Sequence, residues 1–317
     1  MKSHLNFLYK ETSFKIIKNL FLTWLFKKLT LKSTNLFLRG TDSISIFPQI
    51  FGLHEECLTD FINTLSCNGH NDFLIDIGAN IGLISCQNGN SFSEVHMFEP
   101  NLLCCNILEV NANIALTSTN FKIYKYGLGL IDQKVNLTIP RFNWGGAFIK
   151  NSENSYSDQT LATKDGFKSL DNSNYFELEI SIKNTTNECA ELFSLLLQKK
   201  LVNGVIKIDV EGFESTVLLG IAKSIPLNMS VFICFESWDS NFDLDEILDA
   251  FQGRCTAFKI SRFTPWQKEW SKIRKLTTLI FFPTTVHTKL TNVDKKNCMG
   301  DIVLEIRSIN SELAQAR

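Results

Sequence analysis

Glycine is sparse, 16 in 317 residues, and the chain holds no solenoid-type repeat and no low-complexity tract beyond a Ser/Asn-rich stretch at about 151–174. Repeat architectures are thereby excluded. The nine cysteines include no CxxC pair. Odd in number and scattered, they suit reduced thiols in a cytoplasmic protein better than a disulfide framework. His54-Glu55 lacks the second histidine of a helical zinc site, so no metal is expected. No apolar run approaches the ~18 residues that span a bilayer. The longest near the N-terminus, NLFLTWLF from Asn19 to Phe26, is followed by two lysines rather than by the small residues of a cleavage site. A net charge of −1 gives no sign of nucleic-acid binding by phosphate neutralisation, and no nucleic-acid partner is expected.

What is present is an ordinary globular composition, 44% hydrophobic and 21% charged, in a chain long enough for one large α/β domain or two small ones. The charge is uneven. Residues 1–33 carry seven lysines against Glu11 alone, a net +6, which leaves −7 for the remainder. Phe14, Ile17, Phe21 and Trp24/Leu25 recur there at helical spacing, so residues 8–29 read as a basic amphipathic helix. Most such stripes pack on the protein's own core, which is the expectation; the alternative is peripheral contact with an anionic membrane face.

Periodicity predicts alternating elements. A helix over 53–65 and a polar turn at 68–72 precede the buried run FLIDI at 73–77. Helical spacing at 81–88, a strand at 94–99, a helix at 101–114 capped by Asn101, and a strand at 121–127 follow. Segments 135–140 and 177–183 read as an antiparallel hairpin inserted at about 131–184. Thr185 and Glu188 form a capping box for a helix to about 200. Further strands are expected at 205–212, 230–236, 256–261, 278–282 and 301–306, with helices at 213–222 and 244–251. The pattern implies a mostly parallel sheet with helices on both faces.

Two glycines stand together in FLIDIGANIG, where Gly78 and Gly82 flank the first strand-to-helix turn. Such a turn at a strand's carboxyl end lets the backbone bend sharply and a ligand approach. A dinucleotide site would show GxGxxG facing a pyrophosphate. The spacing here is GxxxG with Asp76 two residues earlier, which favours a ligand without pyrophosphate and with a positive end, as in S-adenosylmethionine. Glu99, at the next strand end, is placed to accept hydrogen bonds from ribose hydroxyls.

DIGANIG, FEPN at 98–101 and IKIDVEGFE at 206–214 resemble the signature blocks of the FkbM family of S-adenosylmethionine-dependent methyltransferases, over roughly residues 38–282. LRGTDSISIFPQIF and NWGGAFI belong to the resemblance too. One departure is Ile182-Lys183-Asn184, where the family usually carries a Leu-Asp pair before the helix. The resemblance implies a Rossmann-like class I methyltransferase fold with a seven-stranded sheet, an inserted hairpin and a helical extension over 1–39 ahead of a domain at 40–317. It implies O-methylation of a sugar, polysaccharide or other small hydroxylated acceptor. Asp76, Gly78, Ala79, Asn80, Gly82, Glu99, Pro100, Asn101, Tyr126 and Gly127 would line the cofactor site. An Asn/Asp-Pro-Pro-aromatic block for base methylation is absent, and IDVEG stands in its place. Asp209, Glu211 and Glu236 at strand ends are the candidate general bases. Trp144, with Gly145 and Gly146, is the candidate sugar contact. The rival reading is a non-catalytic or membrane-docked module that keeps the fold.

Overall fold

The run FLIDI forms β1 (Phe73–Ile77), all five residues of which are buried. The computed structural model describes residues 13–150, 154, 171–238, 242–263, 270–281, 287–293 and 298–309. Residues 8–12 of the basic segment, and 151–153 and 155–170 of the Ser/Asn-rich stretch, lie outside the described residues, as does the Phe14 side chain.

β1 pairs in parallel with β2 (Glu94–Phe98) on one side and with β8 (Asn203–Ile208) on the other. β3 (Asn120–Tyr124) continues outward from β2, and β9 (Ser230–Ser237) from β8, both parallel. Beyond β9 the direction reverses: β12 (Gly300–Ile306) is antiparallel to it, followed by β10 (Cys255–Phe263) and the edge strand β11 (His287–Asn292). The order is β11-β10-β12-β9-β8-β1-β2-β3. The chain winds outward in opposite directions from β1 and β8, so a crevice opens at their carboxyl ends. The result is a doubly wound, Rossmann-like α/β fold with β12 as an antiparallel strand beside β9.

Helices cover both faces because side chains alternate along each buried strand. Phe73, Ile75 and Ile77 pack with α6 (Thr185–Gln198), α7 (Glu214–Ser224) and α8 (Leu244–Ala250) through Leu192, Val217, Leu218 and Ile247. Leu74 packs on the opposite side with α3 (Glu56–Cys67), α4 (Leu83–Asn88) and α5 (Leu102–Ala115) through Ile62, Ile84 and Leu108. Burial of each such side chain contributes roughly 1.5–3 kcal/mol. Asn101 caps α5 by accepting from the Leu103 amide, as its position implies.

The hairpin strands β5 (Gln133–Pro140) and β7 (Tyr175–Asn184) pair antiparallel, with Leu137 opposite Leu178. They belong to a second sheet with β4 (Gly127–Gly129) and β6 (Phe148–Ile149). Thus FKIYKYG is not one strand: β3 ends at Tyr124, and Gly127 starts the crossing into the second sheet.

Four other expectations change. The main sheet has eight strands instead of seven, because the polar segment of β11 adds an edge. The run expected as a strand at 278–282 is helical over 278–281, where it ends α9 (Lys272–Phe281), and residue 282 lies outside the described residues. The cap of α6 is Asn184, which accepts from the Asn187 amide, while Thr185 Oγ1 donates to the Gly129 carbonyl and Glu188 turns to Lys183. Finally, α1 (Ser13–Leu29) is not core packing: Ile17, Leu20, Phe21, Leu22, Trp24, Phe26 and Leu29 are all exposed. α2 (Ile46–Phe51) follows it. No helix among the described residues is long and apolar enough to cross a membrane.

Gly78 and Gly82 have φ of 82° and 85°, a region that costs an L side chain energy. A Cβ on Gly78 would lie 1.9 Å from the Asp209 carbonyl oxygen, whereas one on Gly82 would meet the end of the Leu108 side chain at 2.4 Å. A side chain can yield where a backbone carbonyl just past a paired strand end yields far less. Gly82→Ala should therefore lower unfolding free energy by about 1–3 kcal/mol, and Gly78→Ala by more than about 3 kcal/mol, in urea titrations. An equal or smaller loss at Gly78 would contradict the close strand approach.

Candidate active site

At the carboxyl ends of β1, β2 and β8 lies a cavity of about 370 Å³, within the range of small-molecule sites. Its floor is the turn after β1. Gly78 and Ala79 amides both donate to the Phe98 carbonyl, at 2.9 and 3.0 Å, which fixes the turn against β2. Glu99 follows β2 and is buried, its two oxygens accepting from the Asn80 and Asn101 amides at 2.7 Å each. Burial raises its pKa from an ordinary 4.5 to about 7, and the nearby Asp76 adds to the rise; the two amides and Lys207 pull the other way without cancelling it. The Asn80 Oδ1 atom is buried with no hydrogen-bond partner among the described residues.

A residue that sequence reasoning missed organises the acids. Lys207 sits opposite Asp76 in the β1–β8 register. Its Nζ lies 3.6 Å from Asp76 Oδ1, 3.2 Å from Asp209 Oδ2 and 3.4 Å from the Gly78 carbonyl. Burial opposes its charge, but Asp209, Asp76 and Glu55 outweigh it and hold the ammonium well above the usual lysine range. Asp76 is fully buried and also accepts from Ser85 Oγ at 2.6 Å. The Asp209 side chain, by contrast, is 43% exposed and lines the cavity.

The opposite wall comes from the second sheet and the chain after α1. Trp144, Gly145 and Gly146 form a short 3-10 turn on it. Arg39 lies over one face of the Trp144 ring at 4.1 Å and pairs with Asp42 at 2.9 Å, while Asp42 also accepts from the Trp144 amide. The Trp144 Nε1 donor has no partner among the described residues. Asn154 joins this wall to the β8 turn by donating to the carbonyls of Ile149 and Glu211.

Of the residues picked from the sequence, Gly78, Ala79, Asn80, Glu99, Pro100, Gly127, Asp209, Glu211, Trp144, Gly145 and Gly146 share this cavity. The others do not line it. Asp76 is fully buried behind the wall, with Oδ1 3.6 Å from Lys207 Nζ and without a hydrogen-bond partner among the described residues. Gly82 packs on α5, and Asn101 caps that helix. Tyr126 stands against Phe98 and Tyr124 and donates to Glu188. Glu236 is in β9 and lines a smaller adjoining cleft, with Asp301, that shares Glu55, Lys207 and Asp209 with the main cavity. His54 and Glu55 line the main cavity as well. Glu55 shares with Asn80 a left-handed backbone, φ 45° and 51°, which no spacing in the sequence announces.

No protein-family model matches the sequence, and no curated protein matches it. Solved structures follow a similar chain path at low identity. A putative RNA methyltransferase from Pyrococcus horikoshii shares 10% identity over 90% of this chain and 98% of its own, with a TM-score of 0.38. An O-methyltransferase from Bacillus cereus in complex with SAH shares 9% over 80% and 82%, at 0.36. Precorrin-6y C5,15-methyltransferase from Geobacter metallireducens shares 8% over 80% and 89%, at 0.36. Likenesses this remote carry no weight in assigning ligand or substrate.

Glu99 gives a pH dependence with a definite sign. Between pH 4.5 and about 7 the unfolded chain has lost this proton and the folded protein keeps it, so stability falls as pH rises through that window and levels off above it. The span is worth about 3 kcal/mol. Denaturant titrations from pH 4 to 8 should show this slope in the wild type and its reduction in Glu99→Gln; equal slopes would mean that Glu99 ionises normally.

Proposed function

We propose that the chain is an S-adenosylmethionine-dependent methyltransferase, of the kind the FkbM resemblance implies, which methylates a hydroxyl of a sugar, glycan or other small molecule. One observation carries the reading: the buried Glu99 and the half-exposed Asp209 open onto one cavity at the reversal point of the sheet.

The residues present fit the cofactor. Each Glu99 oxygen has one backbone donor and keeps acceptor capacity for a ribose diol. Asn80 Oδ1 is an orphaned acceptor in the same wall, and such a group is costly unless a ligand or water satisfies it. Gly78, Ala79, Pro100 and Gly127 supply apolar and backbone surface around them. When bound, S-adenosylmethionine supplies a methyl group activated by a positively charged sulfur.

The chain's own part is to position the acceptor and take its proton. Asp209 suits the second task best. Lys207 Nζ lies 3.2 Å from its Oδ2, and its exposed share faces the cavity. Glu211 is buried in the same wall and is the second candidate. Trp144, which lines the cavity with Arg39 over its ring, is the candidate acceptor contact. We place the protein in the reducing cytoplasm, where its nine free thiols would persist. Residues 40–317 form the catalytic unit of this proposal and 1–39 its extension.

Calorimetry should show S-adenosylmethionine binding that strengthens as pH rises toward about 7, because the diol favours ionised Glu99, and that is lost or greatly weakened in Glu99→Ala. With an identified acceptor, Asp209→Asn should lower kcat by about 10²- to 10⁴-fold while cofactor affinity is retained. Near-normal kcat in both Asp209→Asn and Glu211→Gln would remove the base assignment. Binding of NADH in place of S-adenosylmethionine would remove the function.

A further inference from the structure

We propose that α1 and α2 dock on an anionic membrane face and that the acceptor is a membrane-borne, hydroxylated headgroup, which reaches the cavity past Phe47. The acceptor part rests on the methyltransferase reading; the docking part does not.

The exposed apolar surface of α1 is not a single stripe. Leu20, Phe21 and Leu22, 67%, 58% and 47% exposed, are consecutive, so apolar side chains run round the helix, joined by Trp24 and Phe26. An apolar patch of this size left in water marks an interaction surface. Residues 13–34 contain Lys15, Lys18, Lys27, Lys28 and Lys32 and no acid at all. Two copies of such a helix would repel each other, whereas an anionic lipid surface offers the opposite charge and a hydrocarbon layer beneath it. Over its described residues this helix is not long and apolar enough to cross a membrane.

The surface continues to the cavity. The Thr34 amide donates to the Pro48 carbonyl in α2 at 3.1 Å, and a Cβ on Gly52 at the α2 end would lie 2.3 Å from the Lys32 carbonyl oxygen. α2 is therefore in contact with the segment that leaves α1. On α2, Phe47 and Phe51 stack with ring centroids 6.0 Å apart and are 60% and 59% exposed. Phe47 also lines the cavity. One exposed apolar tract thus leads from the lysine-rich helix to the cavity rim. A wholly water-soluble acceptor gives no reason for that continuity, while a headgroup held in a bilayer does.

Flotation of the full chain with phosphatidylglycerol/phosphatidylcholine vesicles should recover it with the lipid at low salt, and phosphatidylcholine alone should not. Lys27→Glu/Lys28→Glu should lower partitioning by about tenfold or more, with circular dichroism unchanged because these side chains are exposed. Hydrogen exchange with vesicles present should protect α1 and α2 together. Absence of flotation, protection of α1 without α2, or vesicle-independent self-association in sedimentation would overturn the docking. For the acceptor, methyl-labelled S-adenosylmethionine and a membrane lipid extract from the producing cells should give label in the organic phase. Label confined to water-soluble product would overturn the acceptor class while docking stands. Failure to bind S-adenosylmethionine, with flotation intact, would instead fall on the methyltransferase reading.

Discussion

The geometry of the crevice depends on one buried ammonium group. Lys207 joins the two strands from which the chain winds apart, contacting Asp76 on β1, Asp209 beyond β8 and the Gly78 carbonyl in the turn between. A lone charge at that depth would be strongly disfavoured, and so would Asp76 without it. The pair need not add much net stability over an apolar one. What it imposes is register and turn position, because the ammonium meets both carboxylates only where β1 and β8 run side by side and end together. The absence of a side chain at Gly78 is part of the same constraint, since its Cα faces the Asp209 carbonyl at a distance no Cβ allows.

That clasp sorts three neighbouring acids into different roles. Asp76 is fully buried and compensated, and serves the frame. Glu99 is held by two backbone amides yet raised to about 7 by burial, so a ligand's donors are what complete it as an anion. Asp209 meets the lysine with one side and the cavity with the other. Proximity of like charges would be unfavourable here without the shared cation.

Much of this was legible in the sequence where local rules and tertiary structure agree. The FLIDI run, the two turn glycines, the Asn101 cap and the alternating hairpin strands each follow from a period or a backbone requirement. Lys207 was overlooked because a lysine in VIKIDV has no local signature of burial; the available signal was a second charged residue, Asp76, in an equally apolar parallel strand. The edge strand β11 is polar, with no apolar period to mark it. TLIFF has strand composition, which gives no sign of the helix over 278–281.

The chain between α1 and α2 shows why the N-terminal part cannot be understood from its own pattern. Asn111 on α5 holds Phe37 at both its amide and its carbonyl, at 2.7 and 3.0 Å. Leu36, Leu38 and Ile44 then pack with Ile81, Leu83 and Trp144. Arg39 covers the indole, and Asp42, itself buried, fixes both Arg39 and the Trp144 amide. This segment is thus the brace that sets the cavity's far wall. Because α2 continues directly from this brace, the exposed Phe47 and the contacts that seat Trp144 belong to one stretch of chain, which joins the apolar surface outside the cavity to the polar wall inside it.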